Sequence, residues 1–127
     1  MFGELASGPH GGDRATAAAQ LIGAMERLQQ VVDAETRALR ERNNTDLQSF
    51  SHRKSQGLLE VSRSMRALGG AAPGEAVRTR LAALRASLHD NHALLGLHLR
   101  AAQEISSTLA RALEHAESDG TYSARFR

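Results

Sequence analysis

The chain has 127 residues, a formal net charge of +2, 3% aromatic residues, and neither tryptophan nor cysteine. This length indicates about one domain, and the missing cysteine excludes disulfides, thiolate metal sites and cysteine nucleophiles. Acidic and basic residues are interspersed without aromatic platforms for bases, so we expect no nucleic-acid binding. With no signal-like apolar run near the N-terminus and no later stretch long enough to span a bilayer, we expect a soluble, cytoplasmic protein.

Strong helix formers dominate the chain, and no segment alternates apolar and polar residues with period two. The sequence therefore predicts an all-α fold, an antiparallel three-helix coiled-coil-like bundle with a long, overhanging third helix. Glycines and other breakers predict the boundaries. We expect a flexible N-terminal arm over 1–12, helices at about 13–43, 46–68 and 74–117 within a bundle of 13–120, and a C-terminal tail over 121–127.

Capping signals support these boundaries. Asp13 can N-cap the first helix, and Thr45 with Gln48 forms a candidate capping box for the second. Gly69-Gly70 stops the second helix, Pro73 cannot continue it, and Gly120 can end the third.

Apolar residues recur at spacings of three and four along all three predicted helices. The first stripe contains Leu21, Met25, Leu28, Val32 and Leu39, the second Leu47, Phe50, Leu58, Val61, Met65 and Leu68, and the third Val77, Leu81, Leu84, Leu88, Leu95, Ala102, Ile105, Leu109, Ala112 and Ala116. Four polar residues interrupt the stripes, namely Glu35, Lys54, Asn91 and His98.

Register follows from antiparallel geometry, because facing residues in a helical hairpin have numbers with a constant sum. The pair Leu28 and Val61 shares its sum with Glu35 and Lys54, and the second hairpin then places Asn91 opposite Lys54. A carboxylate, an ammonium and an amide in one layer can satisfy each other, whereas each alone would carry a large desolvation penalty. We therefore interpret Glu35, Lys54 and Asn91 as a structural polar layer that fixes register.

The third predicted helix is longer than its neighbours, which leaves Ile105, Leu109 and Leu113 without a partner helix. An unpaired apolar face indicates partner binding. Two alternatives remain, namely self-pairing in a homodimer and coverage by the N-terminal arm.

Other chemistry is weakly indicated. His89 and His92, with His98 and His115 as further candidates, could face a metal, but no H-E-x-x-H motif is present and solvated histidines explain them better. No phosphate-binding motif appears. We therefore expect no catalytic, cofactor or metal site and no enzymatic activity.

Several residues resemble the FlgN family of flagellar type III export chaperones. The matching features are Glu35 with Leu39, Asp46 with Leu47, Lys54 with Leu58 and Leu59, Asn91 with Leu94 and Leu95, and Thr121-Tyr122-Ser123. The resemblance begins at Leu21 and covers about four fifths of the chain, although the glycine-rich arm and the final Ala124-Arg125-Phe126-Arg127 depart from the family pattern.

The resemblance implies a cytoplasmic chaperone that binds hook-associated proteins, the subunits of the hook-filament junction, through their C-terminal helices before export. It also implies export-apparatus components as partners and adds Tyr122 to the partner-binding residues Ile105, Leu109 and Leu113. ATP and metals are not implied. The alternative function is a structural or signalling coiled-coil module that homodimerises through its third helix.

Overall fold

The fold is known from a computed structural model that describes residues 11–42, 46–70 and 73–125, with side chains described as far as 118. Over these ranges the chain forms three α-helices, α1 (Gly11–Arg40), α2 (Leu47–Leu68) and α3 (Glu75–Arg125), and contains no strand. The predicted all-α class is therefore confirmed. None of these helices is both long and apolar enough to cross a lipid bilayer.

The chain divides into two compact units, Met1–His92 and Ala93–Arg127, so the boundary lies within α3. In the first unit, α1 packs against both other helices and supplies most of the core. The buried core residues are Leu21, Ala24, Met25, Leu28, Val32, Val61, Val77 and Leu84. In the second unit α3 continues alone, and its described side chains from 97 to 118 are all exposed.

Helix α1 differs from its prediction at both ends. It begins at Gly11 rather than Asp13, so Asp13 lies in the first turn, where its carboxylate favours the positive end of the helix dipole. It ends at Arg40, three residues early, because Arg42 adopts a left-handed conformation with φ of 55°. Residues 1–10 of the predicted arm lie outside the described part of the chain.

Asp46, and not the predicted Thr45, is the N-cap of α2, since its Oδ1 accepts a hydrogen bond of 3.0 Å from the Ser49 amide. Thr45 itself lies outside the described residues. At the other end, Gly69 has a φ of 75° and its amide donates to the Arg66 carbonyl, which confirms the predicted glycine stop. Glycine suits this position because it has no Cβ to clash in the left-handed region.

The prediction that α3 ends near 117 was wrong, because its backbone remains helical to Arg125 and includes most of the predicted tail. Gly120 does not stop the helix. A single interior glycine costs only about 1 kcal/mol relative to alanine, and the next three residues, unlike proline, can keep the helical hydrogen bonds.

Two residues of the predicted α2 stripe do not face the core. Val61 is buried as expected, whereas Leu58 and Met65, predicted to point inward, are 48% and 51% exposed. Gly57 explains the difference, because a Cβ at this position would lie 2.9 Å from Leu28 Cδ1. The glycine therefore lets α2 approach α1 closely on its own side, which turns Leu58 away from the core.

This close approach can be tested by Gly57→Ala. We expect the free energy of unfolding to fall by about 1 kcal/mol, because overpacking against buried Leu28 costs about 1–3 kcal/mol while the gain in helix propensity returns about 1 kcal/mol. Urea unfolding followed by circular dichroism measures the change.

Gly23→Ala is the matched control, because the nearest atom to its new Cβ would be the end of the Arg27 side chain at 3.2 Å. That flexible group can move, so this variant should be as stable as the wild type or more stable. Equal stabilisation by both alanines would contradict a tight contact at Gly57.

Candidate functional site

Three helices of the first unit place one polar side chain each in a single layer. The Lys54 ammonium on α2 lies 2.6 Å from Glu35 Oε1 on α1 and donates a hydrogen bond of 3.2 Å to Asn91 Oδ1 on α3. Asn91 Nδ2 in turn donates to the same Glu35 oxygen at 3.0 Å. The register predicted from residue numbering is therefore confirmed at this layer.

Burial of the layer is nearly complete on two of its three sides. Glu35 and Asn91 are 1% and 2% exposed, while the side chain of Lys54 retains 18% exposure. An ion pair this dry persists only if further hydrogen bonds satisfy its remaining polar atoms. Asn91 meets this need, because its amide bonds to both charged partners at once.

Thr36 is a fourth member of the layer that the sequence reasoning missed. Its hydroxyl accepts a hydrogen bond of 3.1 Å from Asn91 Nδ2 and donates one of 3.0 Å to the Val32 carbonyl one turn earlier. Asn91 Nδ2 also lies 3.4 Å from that carbonyl. Because α1 packs against two helices, it buries a wider face than a single apolar stripe. That requirement could have identified Thr36, which is adjacent to Glu35 in the sequence.

Peripheral contacts reinforce the packing of α1 without forming a site. Gln29 Nε2 on α1 donates to Ser87 Oγ on α3 at 3.2 Å. Arg80 on α3 pairs with Glu26 on α1 at 3.1 Å. Both residues of the Arg80 pair are substantially exposed, as are Arg27 and Glu60, which pair between α1 and α2. Exposed pairs like these contribute about 0–1 kcal/mol each, so the buried layer is the stronger constraint.

The predicted partner-binding residues lie in the second unit on one side of α3. Ile105, Leu109 and Leu113 are 61%, 58% and 62% exposed. They recur every four residues and therefore lie on one face of the helix, which they share with Ala102, Ala112 and Ala116. We call these six residues the α3 apolar face.

Polar residues occupy the opposite side of this helix, including Arg100, Ser107, Arg111 and Glu114. The helix is therefore amphipathic in a region where its described side chains are exposed. Amphipathic helices of this kind bind a second apolar surface, most simply another helix. The backbone of Tyr122, the fourth predicted partner-binding residue, is helical, but its side chain lies outside the described set.

A second group of exposed apolar side chains, Leu58, Leu59 and Met65, lies on α2 in the first unit. The sequence reasoning assigned two of them to the core, so this surface was missed. Gly57 was the available signal: it lies three residues after Lys54 and four before Val61, which is seam spacing, and helices pack closest where their side chains are smallest.

Histidines do not assemble into a metal site among the described residues, where no group of three or more histidine, aspartate or glutamate side chains could hold an ion. His89, His92, His98 and His115 are all exposed. The exposure of His98 contradicts its predicted place in the stripe of the third helix. As a polar member of the stripe, it can face water without any loss of apolar burial.

Comparison with protein-family models, with curated proteins and with solved structures gives no match to this chain. The resemblance to FlgN chaperones thus stays a prediction from the residues that carry it.

Replacing Lys54 by alanine tests the layer. We expect the free energy of unfolding to fall by about 3–5 kcal/mol, because Glu35 would remain buried without its cation. Adding Glu35→Gln should recover part of this loss, since the uncompensated charge is then removed. Thermal and urea unfolding of both variants measures the effect.

Arg63→Ala, at an exposed position on the same helix, is the control and should change stability by no more than about 0.5 kcal/mol. An unchanged melting curve for Lys54→Ala would mean that the ammonium is hydrated and that the layer does not fix register.

Proposed function

We propose that this protein is a cytoplasmic export chaperone of the flagellar type III system, which binds hook-associated proteins through their C-terminal helices before export. One observation carries the proposal, namely the exposed α3 apolar face centred on Leu109. The residues that resemble the FlgN family supply the identity of the cargo. Export-apparatus components, with Tyr122 as a contact, belong to the same proposal.

The α3 apolar face supports helix binding through its size and shape. Its three large side chains repeat every four residues, which is the spacing that an amphipathic helix needs to lie alongside it. Fully burying a leucine contributes about 1.5–3 kcal/mol, so covering three side chains that are over half exposed offers roughly 3–5 kcal/mol before the costs of association.

The buried layer supports the proposal in a different way. A chaperone must present its binding face on a chain that folds uniquely before the cargo arrives. Glu35, Lys54 and Asn91 fix the register of the first unit, so the folded state of that unit does not depend on the occupancy of the α3 apolar face.

A cargo helix also gains from such binding. An amphipathic segment exposed before assembly is prone to aggregate or to assemble early, and burying its apolar stripe against Leu109 and its neighbours would prevent both. This function requires neither nucleotide hydrolysis nor a metal ion.

Isothermal titration calorimetry with purified hook-associated proteins tests the proposal directly. Each cargo is titrated at full length and without its C-terminal helices. Stoichiometric binding that disappears with those helices is the expected result. Binding to neither form would overturn the proposed cargo.

Leu109→Asp should weaken cargo binding by at least about 100-fold, because the variant loses apolar burial and places a carboxylate in a desolvated contact. Far-UV circular dichroism should show unchanged helicity, since Leu109 is exposed in the free chain.

Ser107→Asp is the matched control, with the same charge on the opposite side of the same helix, and should bind cargo with wild-type affinity. If Leu109→Asp also bound normally, the cargo site would have to lie elsewhere, with the exposed α2 residues Leu58 and Met65 as the next surface to vary.

A further inference from the structure

We propose that the α3 apolar face pairs with the same face of a second copy of this chain, as an antiparallel two-helix seam in one defined register. In that register Leu109 faces Ala112 of the second copy, and Ile105 faces its Ala116. Two-fold symmetry repeats both contacts in the reverse order, which gives four consecutive layers that each contain one large and one small residue.

The pattern of side-chain sizes carries this inference. Along the seam positions of α3, the sequence reads small, large, large, small, small at Ala102, Ile105, Leu109, Ala112 and Ala116. Helices pack to interior density only when the summed volume of facing side chains stays even from layer to layer. A self-pairing that places large against small at each layer therefore packs best.

Competing arrangements fail this condition. In a parallel, in-register dimer Leu109 meets Leu109 and Ala112 meets Ala112, so wide and narrow layers alternate and leave voids at the alanines. The antiparallel register that pairs Ile105 with Leu109 has the same fault, because Ala102 then faces Ala112. Among seams built from these residues, the proposed register alone keeps the helix separation constant.

Charge also favours a second copy over a charged partner. The positions beside the paired layers are Ser106, Thr108, His115 and Leu113, the last at the edge of the α3 apolar face, and none is an aspartate, glutamate, lysine or arginine. Because each residue turns the helix by about 100°, Glu104 and Arg111 lie toward the side opposite the seam positions. Nothing beside the seam repels a second copy, whereas a partner with charged flanks would find no counter-charge.

The length of the seam sets its strength. In the proposed register the facing positions run from Ile105 to Ala116, a seam of about 17 Å, and a seam this short buries less than the roughly 1,000 Å² of a stable interface. We therefore expect weak self-association, with a dissociation constant on the order of 100 µM.

This self-pairing does not rest on the proposed chaperone function. If both hold, cargo and second copy compete for Leu109, and the apparent affinity for cargo falls as the concentration of this chain rises above its dimer dissociation constant. At concentrations well below that constant the chain is monomeric, so calorimetry there tests cargo binding whether or not the chain self-pairs.

Sedimentation equilibrium of the full chain, over about 10–1,000 µM to bracket the expected constant, provides the test. The wild type should show a monomer-dimer equilibrium. Ala112→Leu should weaken the dimer at least about ten-fold, because two leucines then meet in each of the two symmetric layers. The double variant Leu109→Ala with Ala112→Leu exchanges large and small and should restore wild-type dimerisation to within about three-fold.

Ser107→Leu adds the same side chain to the opposite side of the helix and should leave the dimer constant unchanged. Circular dichroism confirms that every variant is folded. A monomer at all concentrations, a tighter dimer for Ala112→Leu, or a double variant that fails to recover would each overturn the proposed register.

Discussion

The ion pair between Glu35 and Lys54, completed by Asn91, is the constraint on which the first unit depends. Apolar stripes alone permit helices to slide by one heptad with little change in buried area. Such a slip would move Lys54 about 10 Å from Glu35 and leave a carboxylate buried among leucines and valines. The desolvation penalty of that state excludes it, so the charges select one register from several that the apolar residues tolerate.

Register was predictable from the sequence for the same reason. The three polar residues interrupt three stripes at positions with matching sums, and each needs the others to be satisfied. The structure places them within hydrogen-bonding distance, and the stripe of α1 is buried from Leu21 to Leu39. Because each polar residue needs the other two, few alternative arrangements remain. Residue numbering and polarity are therefore enough to predict the register.

Which apolar residues of α2 face the core was harder to predict. A count of apolar residues leaves Gly57 out of the stripe, although in the fold a Cβ at this position would lie 2.9 Å from Leu28 Cδ1 on α1. With Gly57 in the seam, Leu58 and Met65 lie outside the core. A small residue lets a neighbouring helix pack closely against it, and a count of apolar positions does not include this effect.

The α3 apolar face was predictable as a surface because three of its residues are large and recur every four positions. The third predicted helix is also longer than the two helices that could cover it. The end of α3 was not predictable, since one glycine biases a helix by an amount comparable to the propensity of a few neighbouring residues. The two kinds of site in this chain also differ in how they could discriminate between partners. In the buried layer, hydrogen bonds and charge specify one arrangement, and any substitution leaves a polar group unpaired. Around Leu109 the flanks carry no charge, so discrimination there has to come from the fit of large side chains against alanines. A surface of that kind accepts any helix with the complementary size pattern, and its own sequence is one such helix.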